Sequence, residues 1–270
     1  METSAAHTRK TTETHRAGRI HIGIGGWTFE PWRSNFYPAG LSHSKELHYA
    51  SRQLSAIEVN GTYYSTFKAP TFAKWHSETP DGFMFSLKAH RFATNRRVLA
   101  QAGDAIARFV DSGIAELKDK LGPIVWQFMP TQQFEPGDFE AFLALLPKAV
   151  EGLQLRHVLD VRHESFATPA LVALARQYGC VPVCTDSDKF PAIADADADF
   201  AYLRLMRSQA DVPTGYGPEA IAQWAQGVRT WTRGERPRDV FVYFINGAKK
   251  RAPAGAMALM AQLGQLGQLA

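Results

Sequence analysis

The chain has only two cysteines, no strong excess of either charge, and no apolar run near the roughly 20 residues needed to span a bilayer. Each scarcity excludes a class. Cys180 and Cys184 cannot build a disulfide framework or, alone, a four-ligand zinc site. On one extended strand their Cα atoms stand about 13 Å apart, at about 3.3 Å per residue, beyond disulfide reach. They read as packing residues in a reducing compartment. Residues 1–18 are polar and lack the apolar stretch of a signal peptide. The expectation is a soluble cytoplasmic protein with no membrane partner, a disordered leader over 1–18 and a folded domain over 19–270. Thirty Lys and Arg stand against 26 Asp and Glu, a net +4. Arg9, Lys10, Arg16 and Arg19 against Glu2 and Glu13 account for half of it, which argues against a histone-like or wholly electrostatic nucleic-acid binder. Phosphate-loop patterns are missing too: the run Gly23-Ile24-Gly25-Gly26-Trp27 lacks the last glycine of a dinucleotide turn.

What is present is alternation. Short runs rich in Val, Ile, Phe and Tyr occur at 20–26, 56–60, 83–88, 124–128, 157–161, 181–185, 201–205 and 240–244. Segments of helical period lie between or after them at 43–53, 70–78, 101–117, 137–147, 167–178, 217–231 and 253–264, whereas 187–199 is too short and acidic for a full helix. Pro70, Pro169 and Pro218 each stand where a helix begins, a position that tolerates the missing N–H. Eight strands about 30 residues apart without a linker predict an α/β fold, a single (β/α)8 TIM-type barrel. A doubly wound open sheet is the alternative.

Strand parity then sorts the side chains. In a barrel, alternate residues face the lumen or the helices, and active sites gather at the C-terminal mouth. Ile57 and Val59 alternate with Glu58 and Asn60; Leu159 and Val161 flank Asp160 and Arg162; Leu203 and Leu205 flank Arg204. The same parity gives an inward set of Glu58, Asn60, Lys88, His90, Gln127, Asp160, Arg162, Asp186, Arg204 and Asn246. Its acids and bases balance, and so many charges at one end of a core are costly unless paired. Any one of them can equally be a structural partner.

Three chemistries compete for this set. Asp160 can orient Arg162 so that its guanidinium grips a carboxylate or phosphate, with His163 as a proton carrier. The bland alternative makes 163–168 a capping loop, with Thr168 as N-cap before Pro169. A metal would take Glu58, Asp160, His163 and Asp186, but Lys88, Arg162 and Arg204 crowd it with like charge, so no metal is assigned. Aromatics after the first two strands, Trp27, Phe29, Trp32, Tyr63 and Tyr64, interleaved with Arg33, Lys68, Arg91, Arg96 and Arg97, keep open a surface for a nucleotide or nucleic acid.

Several short motifs carry a family resemblance: Gly25-Gly26-Trp27-Thr28-Phe29, Phe36-Tyr37-Pro38, Glu58-Val59-Asn60 with Thr62-Tyr63-Tyr64, Lys88-Ala89-His90-Arg91-Phe92, Asp160-Val161-Arg162-His163, Cys184-Thr185-Asp186-Ser187 and Tyr202-Leu203-Arg204-Leu205. In order and spacing, over about residues 20–256, the chain resembles the YecE-like family, domain of unknown function number 72. The resemblance implies a TIM-type barrel with its shared residues around the C-terminal mouth, and implies no reaction or cofactor. Many relatives carry His after the Tyr-x-Arg-Leu strand where this chain has Met206, which cannot carry a proton. Asn246 is carried over from a partly matching element at the last strand.

The leading reading is an enzyme acting on a small phosphorylated or carboxylated substrate at the mouth, with its cofactor unassigned. Lys88, Arg162 and Arg204 hold the anion. Glu58 and Asp186 exchange protons or orient hydroxyls, and His163 assists as acid or base. Trp27, Asn60, Tyr63, Arg91, Asp160 and Asn246 complete the binding surface. Glu58 is expected to pair with Lys88 on the adjacent strand end. A nucleic-acid- or nucleotide-binding protein, a metal-dependent barrel enzyme and a non-catalytic binding module are the alternatives.

Overall fold

The computed structural model describes residues 17–265. Residues 1–16 of the expected leader lie outside the described residues. Gly18, placed in that leader on sequence grounds, is tied into the fold, its N–H donating to the Thr232 carbonyl at 2.9 Å.

The alternating runs form strands because β-branched and aromatic side chains pack well on a pleated surface. They are β1 (Ile20–Gly25), β2 (Ala56–Val59), β3 (Met84–Lys88) and β4 (Leu121–Gln127). A two-stranded hairpin, β5 (Ala149–Val150) and β6 (Leu153–Gln154), precedes β7 (His157–Asp160). Then follow β8 (Cys180–Pro182), β9 (Cys184–Thr185), β10 (Phe200–Leu205) and β11 (Asp239–Phe244). The main sheet runs β8-β7-β4-β3-β2-β1-β11-β10-β9, parallel throughout. Its two outer members are consecutive pieces of one chain segment. Residues 180–182 bond to β7 and 184–185 to β10, so the sheet curls into a nearly closed barrel. Pro182 has no N–H to donate, which accounts for the interruption between the two pieces.

The helical segments cover the outside. They are α1 (Glu46–Gln53), α2 (Gly61–Tyr64), α3 (Ala69–Glu78), α4 (Arg91–Thr94), α5 (Gly103–Val110), α6 (Pro136–Ala144), α7 (Pro169–Gln177), α8 (Pro218–Arg233) and α9 (Ala252–Gln262). Pro70, Pro169 and Pro218 occupy first-turn positions as expected. The Thr168 hydroxyl accepts from the Leu171 N–H, the foreseen cap. The single helix expected over 101–117 is instead divided. After α5, Gly113 takes a left-handed φ of 103°, and a Cβ there would lie 2.5 Å from the Ala69 Cα. The chain then continues as a 3₁₀ segment, Ile114–Lys120. No helix forms over 187–199.

Two apolar layers follow the strand parity. Ile57, Val59, Phe85, Leu87, Leu159, Leu203 and Leu205 pack outward beneath the helices with residues such as Phe72 and Phe139. Ala56, Met84, Val125, Val158, Val181, Val183, Tyr202, Phe241 and Tyr243 fill the lumen. Two assignments to the inward set need correction. Phe244 belongs to the helix-facing layer, so Asn246 shares its outward parity and is exposed; the inward residue there is Ile245. In the 180–185 run the lumen receives Val181 and Val183, which takes Asp186 off the inner row. Both cysteines are free packing residues, and burial pushes the Cys180 thiol up to about 12. No described helix is long and apolar enough to cross a membrane.

Candidate functional site

Above the apolar filling of the barrel, the same parity stacks polar residues toward the C-terminal mouth. Ser86 and Tyr243 share a hydrogen bond at 2.7 Å between their hydroxyls. Above it Glu58 is 0% exposed and Arg204 1%. Charges so deeply buried persist only when paired and hydrogen-bonded. Arg204 satisfies the requirement by reaching across the lumen to two strands that are not its neighbours. Its Nη2 donates to Glu58 Oε1 at 3.1 Å and its Nη1 to Asp160 Oδ2 at 2.5 Å. The Tyr202 hydroxyl donates to Glu58 Oε2 at 2.8 Å. Burial alone would lower the Arg204 pKa, but Glu58 and Asp160 together raise it, so the guanidinium keeps its charge. Burial, and then the Glu58 carboxylate, hold the Tyr202 hydroxyl well above its ordinary range.

Arg162 continues the network to the mouth. Its Nη2 donates to Asp160 Oδ2 at 3.0 Å and to Gln127 Oε1 at 2.7 Å, and the guanidinium lies 4.7 Å from the centre of the Phe190 ring. Asp160 therefore does orient Arg162, as the two-residue spacing on one strand face predicts. Among the described residues the Arg162 Nη1 has no hydrogen-bond partner.

Lys88 differs from both arginines. It is 6% exposed, yet no carboxylate lies within 4 Å of its ammonium among the described residues, and it makes no side-chain hydrogen bond there. Its neighbour is the face of the Tyr63 ring, 4.6 Å away. Tyr63 is itself held by its hydroxyl on Asn95 Oδ1 at 3.2 Å. The expected Glu58–Lys88 pair does not form. Glu58 finds its cation in Arg204, whose planar fork bridges two carboxylates as a single ammonium cannot. Burial, followed by the nearby Arg204 charge, lowers the Lys88 pKa to about 8, against the opposing pull of Glu58 and Asp160.

The remaining candidates lie apart from this centre. Trp27 and Asn60 line an adjoining cleft of about 410 Å³ with Phe29, Phe67 and Lys249. A side chain at Gly25 would meet Asn60 Nδ2 at 2.9 Å, so glycine there leaves Asn60 its place. Trp27 packs edge-on against Trp75 at 5.2 Å. His163 is a cap: its Nδ1 accepts from the Ser165 N–H at 3.2 Å and meets Ser165 Oγ at 2.8 Å. The bland alternative placed His163 in a capping loop with Thr168 as the cap; His163 is itself a cap, one turn earlier, and is half-buried. His90 caps α4 in the same way, through Phe92 N–H. Asp186 accepts from the Met206 N–H and the Tyr216 hydroxyl, both at 2.6 Å, and thus ties the loop carrying Tyr216 to the end of β10. Arg91 is exposed on the rim, its guanidinium 5.7 Å from the Phe92 ring centre.

The four metal candidates do not converge. A guanidinium lies between Glu58 and Asp160, while His163 and Asp186 serve their own loops, and the described residues contain no group of three or more His, Cys, Asp or Glu suited to a metal. Sequence reasoning placed Gln127 in the inward set without a role of its own, and gave Tyr202 and Tyr216 none in the polar centre and its surround. Tyr202 stands on the same inward parity as Arg204, which was the signal that could have found it. Tyr216 comes from a loop and left no signal.

Comparison with known proteins agrees with this architecture. The UPF0759 protein YunF of Bacillus subtilis (strain 168) is 27% identical over 116 residues, which is 41% of this chain and 40% of that relative's own length. The crystal structure of TM1631 from Thermotoga maritima MSB8, a DUF72 family protein, superposes with a TM-score of 0.73 at 21% identity, covering 91% of this chain and 99% of that one. A DUF72 family protein of Enterococcus faecalis V583, EF0366, gives 0.70 at 16% identity over 91% and 95%. SacUVDE is more distant, with a TM-score of 0.55 at 11% identity over 92% and 100%. At these identities the structures speak for the fold alone. The family model described as protein of unknown function DUF72 matches residues 21–269, nearly the whole barrel and its mouth. This chain belongs to the DUF72 family.

Proposed function

We propose that the barrel mouth binds a small carboxylated or phosphorylated molecule and acts on it as an enzyme. One observation carries the reading: three cations, Lys88, Arg162 and Arg204, share two carboxylates, Glu58 and Asp160, and Lys88 is the cation left without an ion pair among the described residues. A buried ammonium without a counter-charge is unfavourable, and an anionic ligand removes the penalty. Arg204 is committed to the protein's own carboxylates. The anion therefore falls to Lys88 and to the free Nη1 of Arg162, and Arg204 acts by holding Glu58 and Asp160 in place.

The test is thermal denaturation with inorganic phosphate as probe. Phosphate raises the Tm of the unmodified protein, and Lys88→Met and Arg162→Met each abolish most of the rise, since a charge-assisted hydrogen bond contributes about 1.5–3 kcal/mol. The rise also shrinks as pH passes through about 8, where Lys88 loses its proton. An unchanged Tm, or a rise indifferent to both substitutions, overturns the proposal.

A nucleic-acid surface is the competing reading, and the rim supplies its observation. Tyr64 is 63% exposed and Phe92 56%, beside the exposed Arg91 and Arg97. In the other half of the surface considered for it, Trp32 is fully buried and Arg33 is paired with Glu46, while Trp27 and Phe29 line the adjoining cleft. Binding of a single-stranded oligonucleotide that falls steeply with salt would favour this reading over a small ligand.

A further inference from the structure

Lys88 is unlike a lysine placed only to neutralise charge. An ammonium in a purely electrostatic role is normally surrounded by acceptors, whereas among the described residues this one has no hydrogen-bond acceptor and meets the Tyr63 ring face at 4.6 Å. Titratable and charged groups surround it from every packed element: Glu58 of β2, Asp160 and Arg162 at the end of β7, Arg204 of β10 and Tyr63 of α2. Glu58 and Asp160 are both held by arginines, so neither is free to fix a proton on Lys88. A desolvated lysine next to other cations is the environment in which the free amine, a nucleophile toward carbonyls, becomes accessible near neutral pH.

We propose that Lys88 forms an imine with the carbonyl carbon of a small 2-oxo acid whose carboxylate is held by Arg162. The inference rests on the anion-binding reading of the same site. The amine lone pair attacks the carbonyl carbon, forming the C–N bond. The carbonyl oxygen then leaves as water with two protons from nitrogen, so that ammonium plus ketone gives protonated iminium plus water. Charge is conserved: one positive charge remains at nitrogen to face the bound carboxylate. Nothing is oxidised or reduced. The lowered Lys88 pKa, about 8, supports the step by keeping a usable fraction of the amine unprotonated.

Borohydride trapping with pyruvate as the probe tests this, with the adduct located by peptide mass spectrometry. The expected result is a single reduced adduct on Lys88, on the order of ten-fold above any other lysine at pH 7. It is absent in Lys88→Arg and Lys88→Met, competed away by inorganic phosphate, and lost in Arg162→Met while the far-UV circular dichroism is unchanged. Labelling should rise with pH through about 8. Adducts spread over exposed lysines, with Lys88 no more labelled than the rest, overturn the proposal. No adduct, with phosphate still stabilising the protein through Lys88, overturns the imine and leaves the anion site standing. No adduct and no phosphate effect overturns both.

Discussion

At the scale of single residues, the centre of the barrel is governed by which carboxylate meets which cation. Arg204, Glu58 and Asp160 are buried together, and removing one member leaves the others short of counter-charge in a low-dielectric core. Glu58→Gln should therefore destabilise the protein by about 3–5 kcal/mol in urea denaturation. Arg204→Met added to Glu58→Gln should recover part of that loss, because Asp160 keeps Arg162 and the guanidinium that Glu58 served is gone. Lys88→Met added to Glu58→Gln should recover no more than Lys88→Met gains in the unmodified protein, because Lys88 is not the hydrogen-bonded partner. A reversed order of the two double variants would mean that the Arg204 bridge does not operate in solution. The presence of acids and bases on the inner row was legible from strand parity. Their pairing was not, since Glu58 and Arg204 are 146 residues apart and parity says nothing about reach across a lumen.

At the scale of elements, the strands follow the local pattern closely and the helices less so. The helical period over 101–117 continues across a point where the backbone must turn away, and the cause is tertiary. α3 passes so close to Gly113 that any side chain there collides with Ala69, and the residue is also left-handed. Gly113→Ala should cost on the order of 1–3 kcal/mol from strain alone, plus the clash. Gly152→Ala is the control, since Gly152 has a similar φ of 81° with nothing within 4 Å of the added Cβ. The difference between the two in urea denaturation measures the close approach, and equal losses would show that α3 gives way. The short α2 and α4 turns at the mouth were not foreseen, being too brief to show a period. Yet α2 carries Tyr63, which forms the floor under Lys88.

For the whole molecule, the barrel has a second polar end whose behaviour is structural. His21 enters the lumen near the bottom of β1, 5% exposed, stacked on Phe241 at 4.8 Å, with no hydrogen-bond partner at Nδ1 among the described residues. Burial, with some help from the Arg156 and Arg19 charges, lowers its pKa from 6.5 to about 4 against the opposing pull of Asp239. The unfolded chain thus binds a proton below about 6.5 that the folded barrel refuses until about 4. Stability accordingly falls as pH drops through that window and is unaffected by this residue above it. The full effect is on the order of 3 kcal/mol, since each pH unit across the window costs about 1.4 kcal/mol. His157, buried and lowered in the same direction, adds to it. Urea titrations at several pH values should show the decline, and His21→Leu should flatten part of it. A slope identical in both proteins would refute the assignment.

By itself the sequence determined the barrel, the two faces of each strand, and the gathering of Glu58, Lys88, Asp160, Arg162 and Arg204 at one end. These depend on the two-residue pleat and on the spacing of βα units, both local properties. Only the tertiary structure decided that Asn246 turns outward, that Asp186 and His163 serve loops, and that Arg204 takes both buried carboxylates. It also decided that Lys88 is left without an ion pair among the described residues. The physical reason is that partner choice in a closed barrel depends on distances across the lumen. Those distances are set when residues 180–185 bond on both sides and the sheet curls shut.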